Sequence, residues 1–152
     1  MTTSPPLLPS PVLLQRACGE SRVAFAVRDG ETRLADLYQR DPCRVLFPDP
    51  EPGEPPQAVL VTTSGGVAGG DRLRMEVAVG PGAHAVVATQ AAEKIYRAAP
   101  GSDPCRIDVA ISVGEGAVLD WLPQETIVFQ GARLIRRTVA DVAPGASLLG
   151  CE

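Results

Sequence analysis

Histidine and cysteine are scarce in this chain of 152 residues, and their scarcity limits the chemistry that it can perform. His84 is the single histidine, and the four cysteines are scattered without a Cys-x-x-Cys pair: Cys18, Cys43, Cys105 and Cys151. A zinc site or a Ser-His-Asp or Cys-His nucleophile needs residues of these types in recognisable patterns. The sequence therefore predicts reduced, buried cysteines, a structural position for His84, no stably bound cofactor and no catalytic residues.

Long apolar runs and a basic surplus are also absent from the sequence. No stretch of eighteen apolar residues could span a bilayer, and the first residues lack the basic region of a signal peptide. The formal net charge is −4, whereas nucleic-acid-binding domains usually carry a concentrated basic surface. We therefore expect a cytoplasmic protein that binds neither nucleic acid nor membrane.

Aromatic residues are few, but glycine and proline are abundant, with 15 of each. This composition favours short strands joined by turns over long helices. Most prolines precede residue 57, and the Pro-rich run at 48–56 can form neither a helix nor a central strand. We expect a disordered Pro-rich tail at 1–15, an ordered β domain at 16–152 and an exposed loop at 48–56.

An early segment carries the signal of a β-hairpin. Large and small apolar residues alternate at 23–27, and the alternation resumes at Thr32 and Leu34. Between them, Asp29-Gly30 supplies the positive φ angles that a tight primed turn requires. The sequence therefore predicts two antiparallel strands here.

A strand-like pattern followed by a glycine corner recurs in the second half of the chain. Apolar residues alternate at 73–79 and again at 107–113, an offset of 34 residues, and each run ends in Gly-x-Gly-Ala. A weaker third copy ends at residue 146, 29 residues after the second. We predict a mainly β fold of stacked, solenoid-like layers, in which segments 73–90 and 107–124 are equivalent strand–turn–strand units. At most one or two short helices are expected.

Residues 89–99 fit this β pattern poorly. Ala91, Ala92, Ile95 and Ala99 lie at helical spacing, with Thr89 as a possible cap. The neighbouring segments are predicted strands, and tertiary context can override the propensity of so short a segment. The assignment stays open, with a short helix slightly favoured.

The glycine-rich run at 63–71 follows an apolar strand, which is where phosphate-binding loops occur. It has neither the Gly-Lys-Ser/Thr nor the G-x-G-x-x-G spacing of such loops. A tight corner in a sheet is therefore favoured over a ligand loop. At 121–126, we expect Trp121 in the core, Pro123 at a strand end, and Glu125 in solvent.

Three segments together resemble the urease accessory protein family UreD, called UreH in some lineages. They are TTSGGVAGGDRL at 62–73, ATQAAEKIYR at 88–97 and LDWLPQETIVFQGARL at 119–134. The similarity runs from about Arg16 to Glu152. Family members continue well beyond the position matched by residue 152, so the chain resembles the N-terminal half of a UreD, truncated within its β domain.

The resemblance implies an accessory factor without catalysis of its own and with a largely β, stacked-sheet fold. Family members bind apo-urease and the accessory protein UreF, which recruits the GTPase UreG. This assembly delivers nickel to urease, and UreD is implied to form part of the passage. A passage should hold nickel weakly and in transit, so scattered oxygen ligands suit it better than a closed His/Cys site.

The motif residues carry over position by position. Those expected to serve structure or partner binding are Gly65, Gly66, Gly69, Gly70, Thr89, Gln90, Lys94, Tyr96, Trp121, Pro123 and Gln124. We hypothesise that Asp71 and Glu125 supply oxygen ligands or negative potential along the nickel path. Alternatively, Asp71 caps its glycine turn and Glu125 pairs with an arginine.

Two other readings of the whole chain remain open. One is a non-functional remnant, because the motifs are present although half of a family member is missing. The other is a small β-barrel metal enzyme, which would need a histidine-rich site that the single histidine does not supply.

Overall fold

Twelve β-strands and no helix make up residues 15–151, the part of the chain that the computed structural model describes. The mainly β prediction is confirmed. The predicted tail at 1–15 lies outside the described residues apart from Gln15. The strands are β1 (Cys18–Arg28), β2 (Glu31–Arg40), β3 (Cys43–Leu46), β4 (Gln57–Thr62), β5 (Arg72–Val79), β6 (His84–Thr89), β7 (Glu93–Ile95), β8 (Cys105–Val113), β9 (Val118–Leu122), β10 (Thr126–Val128), β11 (Leu134–Val142) and β12 (Ser147–Gly150).

The strands form two five-stranded sheets and a small sheet of two strands. The first sheet has the order β11-β8-β5-β1-β2, and the second has the order β12-β9-β6-β4-β3. Each glycine corner carries the chain from the first sheet to the second. We call β5–β6 the first unit, β8–β9 the middle unit and β11–β12 the last unit. Neither sheet closes on itself within residues 15–151, so the β-barrel alternative is wrong for the fold.

The strand register reproduces the repeat that is visible in the sequence. Leu73 pairs with Ile107 in the parallel β5–β8 ladder, and His84 pairs with Val118 in β6–β9, so both ladders have the 34-residue offset. The last unit follows at the 29-residue offset, since Ser147 pairs with Val118. The prediction of equivalent, stacked strand–turn–strand units is therefore confirmed.

The core lies between the two five-stranded sheets. Alternate residues of the central strands point inward, as the alternating burial of β5 and β8 shows. Side chains of the first sheet, such as Val77 and Ile111, and of the second, such as Val87, Leu119 and Trp121, form one buried cluster. Each large apolar side chain that is fully buried contributes about 1.5–3 kcal/mol relative to exposure.

The predicted hairpin adds a further layer to this stack. Asp29 and Gly30 have φ angles of 54° and 81°, as a primed two-residue turn requires, and β1 and β2 pair antiparallel across it. β1 also pairs in parallel with β5. Residues 47–56 connect β3 to β4 outside any strand, and residues 48–54 are exposed.

The helix favoured at 89–99 is wrong. Residues 93–95 form β7, which pairs in parallel with β10. The amide of Glu93 donates to the carbonyl of Glu125 at 3.0 Å, and that of Tyr96 to the carbonyl of Val67 at 2.7 Å. These long-range bonds replace helical ones, and they place Ile95 in the core with no exposed surface. Tertiary packing has overridden the local spacing.

The prediction for the cysteines holds for two of the four. Cys43 and Cys105 are buried, and burial raises the pKa of each thiol to about 11. Cys18 and Cys151 are exposed instead, because one lies on the outer face of β1 and the other just beyond β12. None of the four forms a disulfide.

His84 lies on the surface at the start of β6, with its Nε2 3.5 Å from a carboxylate oxygen of Asp120. This is a structural position on a strand, as the sequence predicts. No helix that could cross a membrane occurs among residues 15–151.

Candidate functional site

The three motif segments meet at one cavity of about 240 Å³. The cavity lies where the small sheet covers the ends of β4, β6 and β9. The walls include core side chains of both five-stranded sheets. Of the motif residues expected to serve structure or partner binding, those that line it are Gly65, Gly66, Thr89, Gln90, Lys94, Trp121, Pro123 and Gln124. Glu93 of β7 and Arg136 of β11 also line it.

Gly66 and Gly69, one from each glycine pair, are required by close packing. A Cβ on Gly66, where φ is 129°, would lie 2.5 Å from a ring carbon of Tyr96 and 2.8 Å from the carbonyl oxygen of Lys94. A Cβ on Gly69 would lie 2.9 Å from the carbonyl oxygen of Asp103. Only glycine fits such approaches without displacing backbone. The structure thus agrees with a tight corner rather than a phosphate loop.

Hydrogen bonds and ring contacts tie the three segments together. The amide of Val67 donates to the carbonyl of Lys94 at 2.8 Å, and the amide of Gln124 donates to the Thr89 hydroxyl at 2.8 Å. The Tyr96 ring stacks on Phe129 with 5.2 Å between centroids. The corner is therefore a single packed unit.

Glu93 is the carboxylate of the cavity. Its Oε2 accepts a hydrogen bond from the Thr62 hydroxyl at 3.1 Å. Burial raises the pKa of the Glu93 carboxyl, while the Thr62 hydrogen bond and the charge of Arg136 act in the opposite direction. The site thus combines a half-buried acid, a nearby cation, hydroxyls and amides.

A further polar group belongs to the third motif. The indole Nε1 of Trp121 is buried and has no hydrogen-bond partner among residues 15–151. Buried donors normally have an acceptor, so water or a bound group is expected beside the ring.

Asp71 lies elsewhere and fastens two segments. Its Oδ1 accepts from the amide of Ala17 at 2.9 Å, and its Oδ2 accepts from the amide of Ala68 at 2.8 Å. The side chain therefore caps the glycine turn and holds the start of β1, which is the structural alternative raised for it. Its part in nickel passage stays a prediction.

Glu125 is exposed just before β10, and its backbone carbonyl accepts the amide of Glu93. Neither Asp71 nor Glu125 lines the cavity. Among residues 15–151, no group of three or more His, Cys, Asp or Glu side chains is arranged to hold a metal ion. The nickel role of Glu125 likewise stays a prediction.

Glu93 and Arg136 were missed by the sequence reasoning as parts of a site. Glu93 lies inside the second motif, between Gln90 and Lys94, and the available signal was that it is the single acidic residue of that segment. Arg136 stands close to Arg133 and Arg137 in the sequence, and such charge clusters are usually solvated, but it is half-buried and lines the cavity. Only the pairing of β11 with β8 brings it there.

Comparison with known proteins connects this corner to a family. The sequence model of UreD urease accessory proteins matches residues 17–152. A urease accessory protein UreD of Azorhizobium caulinodans is 48% identical over 138 residues, covering 91% of this chain and 50% of the relative. One from Magnetococcus marinus is 47% identical over 131 residues, covering 86% of this chain and 45% of the relative.

The chain thus spans about half the length of the curated relatives that it matches. The match includes all three motif segments and every strand of the described structure. This chain belongs to the UreD family of urease accessory proteins.

Proposed function

We propose that the chain acts in urease maturation, as a cytoplasmic scaffold that binds apo-urease and UreF, with UreG recruited through UreF. Nickel is the cargo of this assembly and is not a resident cofactor. Family membership supports the proposal, since the relatives are named urease accessory proteins. The same naming supports a role without catalysis.

The observation that carries the proposal is the convergence of the three motif segments on one cavity. The oxygen atoms that could ligate a cation are spread around the cavity wall, and Glu93 supplies the carboxylate among them. A cation that must move on is better served by such weak, dispersed oxygen ligands than by a closed site. The positive charge of Arg136 also disfavours retention of a cation in the cavity. Asp71 and Glu125 add negative potential near the corner in this proposal.

The test is activation of urease in a host whose own UreD is deleted. This chain is supplied alone, and also together with the remaining half of the Azorhizobium relative. Urease activity, urease nickel content and co-purification with UreF are measured. The proposal expects co-purification and recovery of nickel-loaded urease in at least the second arrangement. If the chain co-purifies with neither urease nor UreF in either arrangement, the proposal is rejected.

Charge-removing variants distinguish a role in nickel passage from a role in assembly. Glu93→Gln and Glu125→Gln keep side-chain shape and remove charge, so they should lower activation while assembly persists. Asp71→Asn should lower assembly itself, because it disturbs the acceptor of the Ala17 and Ala68 amides. Glu51→Gln, in the exposed 47–56 connection, is the matched control and should change neither. Unchanged activation in Glu93→Gln and Glu125→Gln would reject the passage role of these two carboxylates.

A further inference from the structure

Several arginines on the outer face of the first sheet are neutralised by acids of the same sheet. Arg22 on β1 contacts Asp36 on β2 at 2.7 Å, and Arg74 on β5 contacts Glu76 of its own strand at 2.6 Å. Exposed pairs of this kind contribute little stability, but each of them balances its own charge. This part of the face therefore offers no surplus of either sign.

Three further arginines of this outer face have no acid partner. Arg72 on β5, Arg106 on β8 and Arg137 on β11 are exposed, and their side chains form no ion pair or hydrogen bond with any of residues 15–151. Arg72 and Arg106 are also direct partners in the parallel β5–β8 ladder. Like charges at paired positions of a sheet repel and cost stability. The fold gains nothing from this arrangement, so it points to a group outside the described residues.

Backbone hydrogen bonds fix the points from which two of these side chains extend. The amide of Arg72 donates to the carbonyl of Ala17 at 2.9 Å, and the amide of Arg106 donates to the carbonyl of Asp71 at 2.9 Å. Arg72 also belongs to the first motif segment, at 62–73. A backbone that is already held in place lowers the entropic cost of binding a partner.

A groove of about 360 Å³ opens on the face beside these side chains. Its lining includes Arg106, Arg137, the carboxylate of Asp108 and the short side chain of Ala110. The two rows of paired residues at this place hold four arginines and one aspartate on β5, β8 and β11, a net charge of +3. The whole chain has a net charge of −4, so this positive surplus is local.

We propose that this groove binds an acidic segment of a partner protein, whose carboxylates are held by Arg72, Arg106 and Arg137. A planar guanidinium binds a carboxylate through two parallel N–H donors. Arg137 pairs with Asp108, two residues along β8 from Arg106, so the Cα atoms of Arg106 and Arg137 lie about 8 Å apart. Alternate residues of an extended segment lie about 7 Å apart, so two of its carboxylates can reach both arginines. The proposal goes beyond the role in urease maturation and does not depend on nickel passage.

A continuous polyanion, such as nucleic acid or an anionic membrane, suits this surface less well. Asp108 lies in the groove, and Glu20 and Glu76 lie on the same outer face, on β1 and β5. These carboxylates repel closely spaced phosphates, whereas a peptide can place uncharged residues opposite them. The net charge of the whole chain acts in the same direction.

The experiment measures binding of a fluorescently labelled hexapeptide of alternating glutamate and threonine to the whole 152-residue chain. Fluorescence anisotropy at low salt gives the dissociation constant, and a peptide with glutamine in place of glutamate is the control. The glutamate peptide should bind at least about tenfold more tightly than the glutamine peptide. Raising the ionic strength to about 0.5 M should remove most of that preference, because salt screens exposed charges.

Two double variants of equal charge locate the contact. Arg72→Gln with Arg106→Gln removes two unpaired arginines, and Arg22→Gln with Arg33→Gln removes two exposed arginines that have acid partners within the chain. The first double variant should weaken binding of the glutamate peptide at least about tenfold, and the second less than about threefold. The first should also melt at no lower temperature than the original chain, because it removes a repulsion between paired positions.

Four results would overturn the proposal. Equal binding of the two peptides, or binding of neither, would show that carboxylates are not recognised. Equal effects of the two double variants would place the contact elsewhere. A clearly lower melting temperature of the first double variant would assign Arg72 and Arg106 to the fold. Tighter binding of duplex DNA or of phosphatidylserine vesicles than of the glutamate peptide would show a different class of partner.

These readouts involve neither urease nor nickel. A groove that binds no acidic peptide would therefore leave the role in urease maturation standing. A chain that binds the peptide but supports no activation of urease would reject the proposed function and leave the groove standing.

Discussion

The middle unit and the last unit have the same architecture but very different surroundings. β8 and β11 run in parallel with a continuous register, as do β9 and β12. Val113 of the middle unit is 2% exposed, and its partner Val142 in the last unit is 42% exposed. The alternation of apolar residues thus determines which face of a strand points inward. A neighbour on each side determines whether that face is buried.

The middle corner and the last corner differ in the residue with which they begin. A Cβ on Gly114 would lie 2.7 Å from the backbone nitrogen of Pro81, because the middle corner stacks on the first. The residue at the corresponding place in the last unit is Ala143, whose amide donates to the carbonyl of Val113. The last corner therefore accommodates a side chain at this position, whereas the middle corner would have to shift backbone atoms to do so.

The largest expected difference between the units is in stability. Leu119→Ala in the middle unit should lower the free energy of unfolding by about 2–5 kcal/mol, because Leu119 is fully buried. Leu148→Ala at the paired position should cost about 1 kcal/mol or less, since its side chain is only partly buried. Urea unfolding followed by circular dichroism measures both. Equal losses of unfolding free energy in the two variants would contradict the difference in burial between the units.

The alkylation rates of the cysteines in the middle and last units should differ by more than about a hundredfold. Burial raises the pKa of Cys105 in the middle unit from 9.0 to about 11, with Asp71 and Glu93 acting in the same direction, and it also blocks access. Cys151 beyond β12 is exposed. Mass spectrometry after timed alkylation should show rapid labelling at Cys151 and Cys18 and slow labelling at Cys105 and Cys43.

The raised pKa of the Cys105 thiol predicts that the stability of the fold depends on pH. The folded-state pKa of Cys105 lies above its ordinary value, so the folded state binds this proton more tightly than the unfolded state. Stability should therefore fall as pH rises from about 9 to about 11. Cys105→Ala should weaken that fall, and Cys151→Ala should leave it unchanged.

The corner contact gives a smaller stability effect. Gly114→Ala should destabilise the chain by about 1–3 kcal/mol, because backbone atoms of the first corner must shift. The reciprocal change Ala143→Gly should cost about 0.5–1 kcal/mol, through backbone entropy alone. Thermal unfolding compares the two, and a Gly114→Ala variant as stable as the original chain would show that the corners do not stack tightly.

The smallest effect is expected at Glu93, which lines the cavity together with Trp121 of the middle unit and Arg136 of the last unit. Burial raises the folded-state pKa of Glu93, so its ionisation reduces stability as pH rises above the ordinary value of 4.5. Glu93→Gln should therefore flatten the stability profile on the neutral side. A profile unchanged by the substitution would mean that the carboxylate is well solvated.

The strand pattern and register could be predicted from the sequence, because both depend on local alternation and on the 34- and 29-residue offsets. The helix favoured at 89–99 was wrong because Ile95 is buried by strands that are distant in sequence. The approach of Glu93 to Arg136 was also unpredictable from spacing, since it requires the β7–β10 and β8–β11 pairings together. Long-range pairing accounts for these failures.

Hydrogen exchange along β11 of the chain alone tests the open stack most directly. Val139 and Asp141 direct their backbone amides toward β8, whereas Ala140 and Val142 direct theirs to the open side. We predict slow exchange at Val139 and Asp141 and rapid exchange at Ala140 and Val142, with no such alternation in β8. Uniform protection along β11, or uniform rapid exchange, would contradict a last layer that is paired on one side and open on the other.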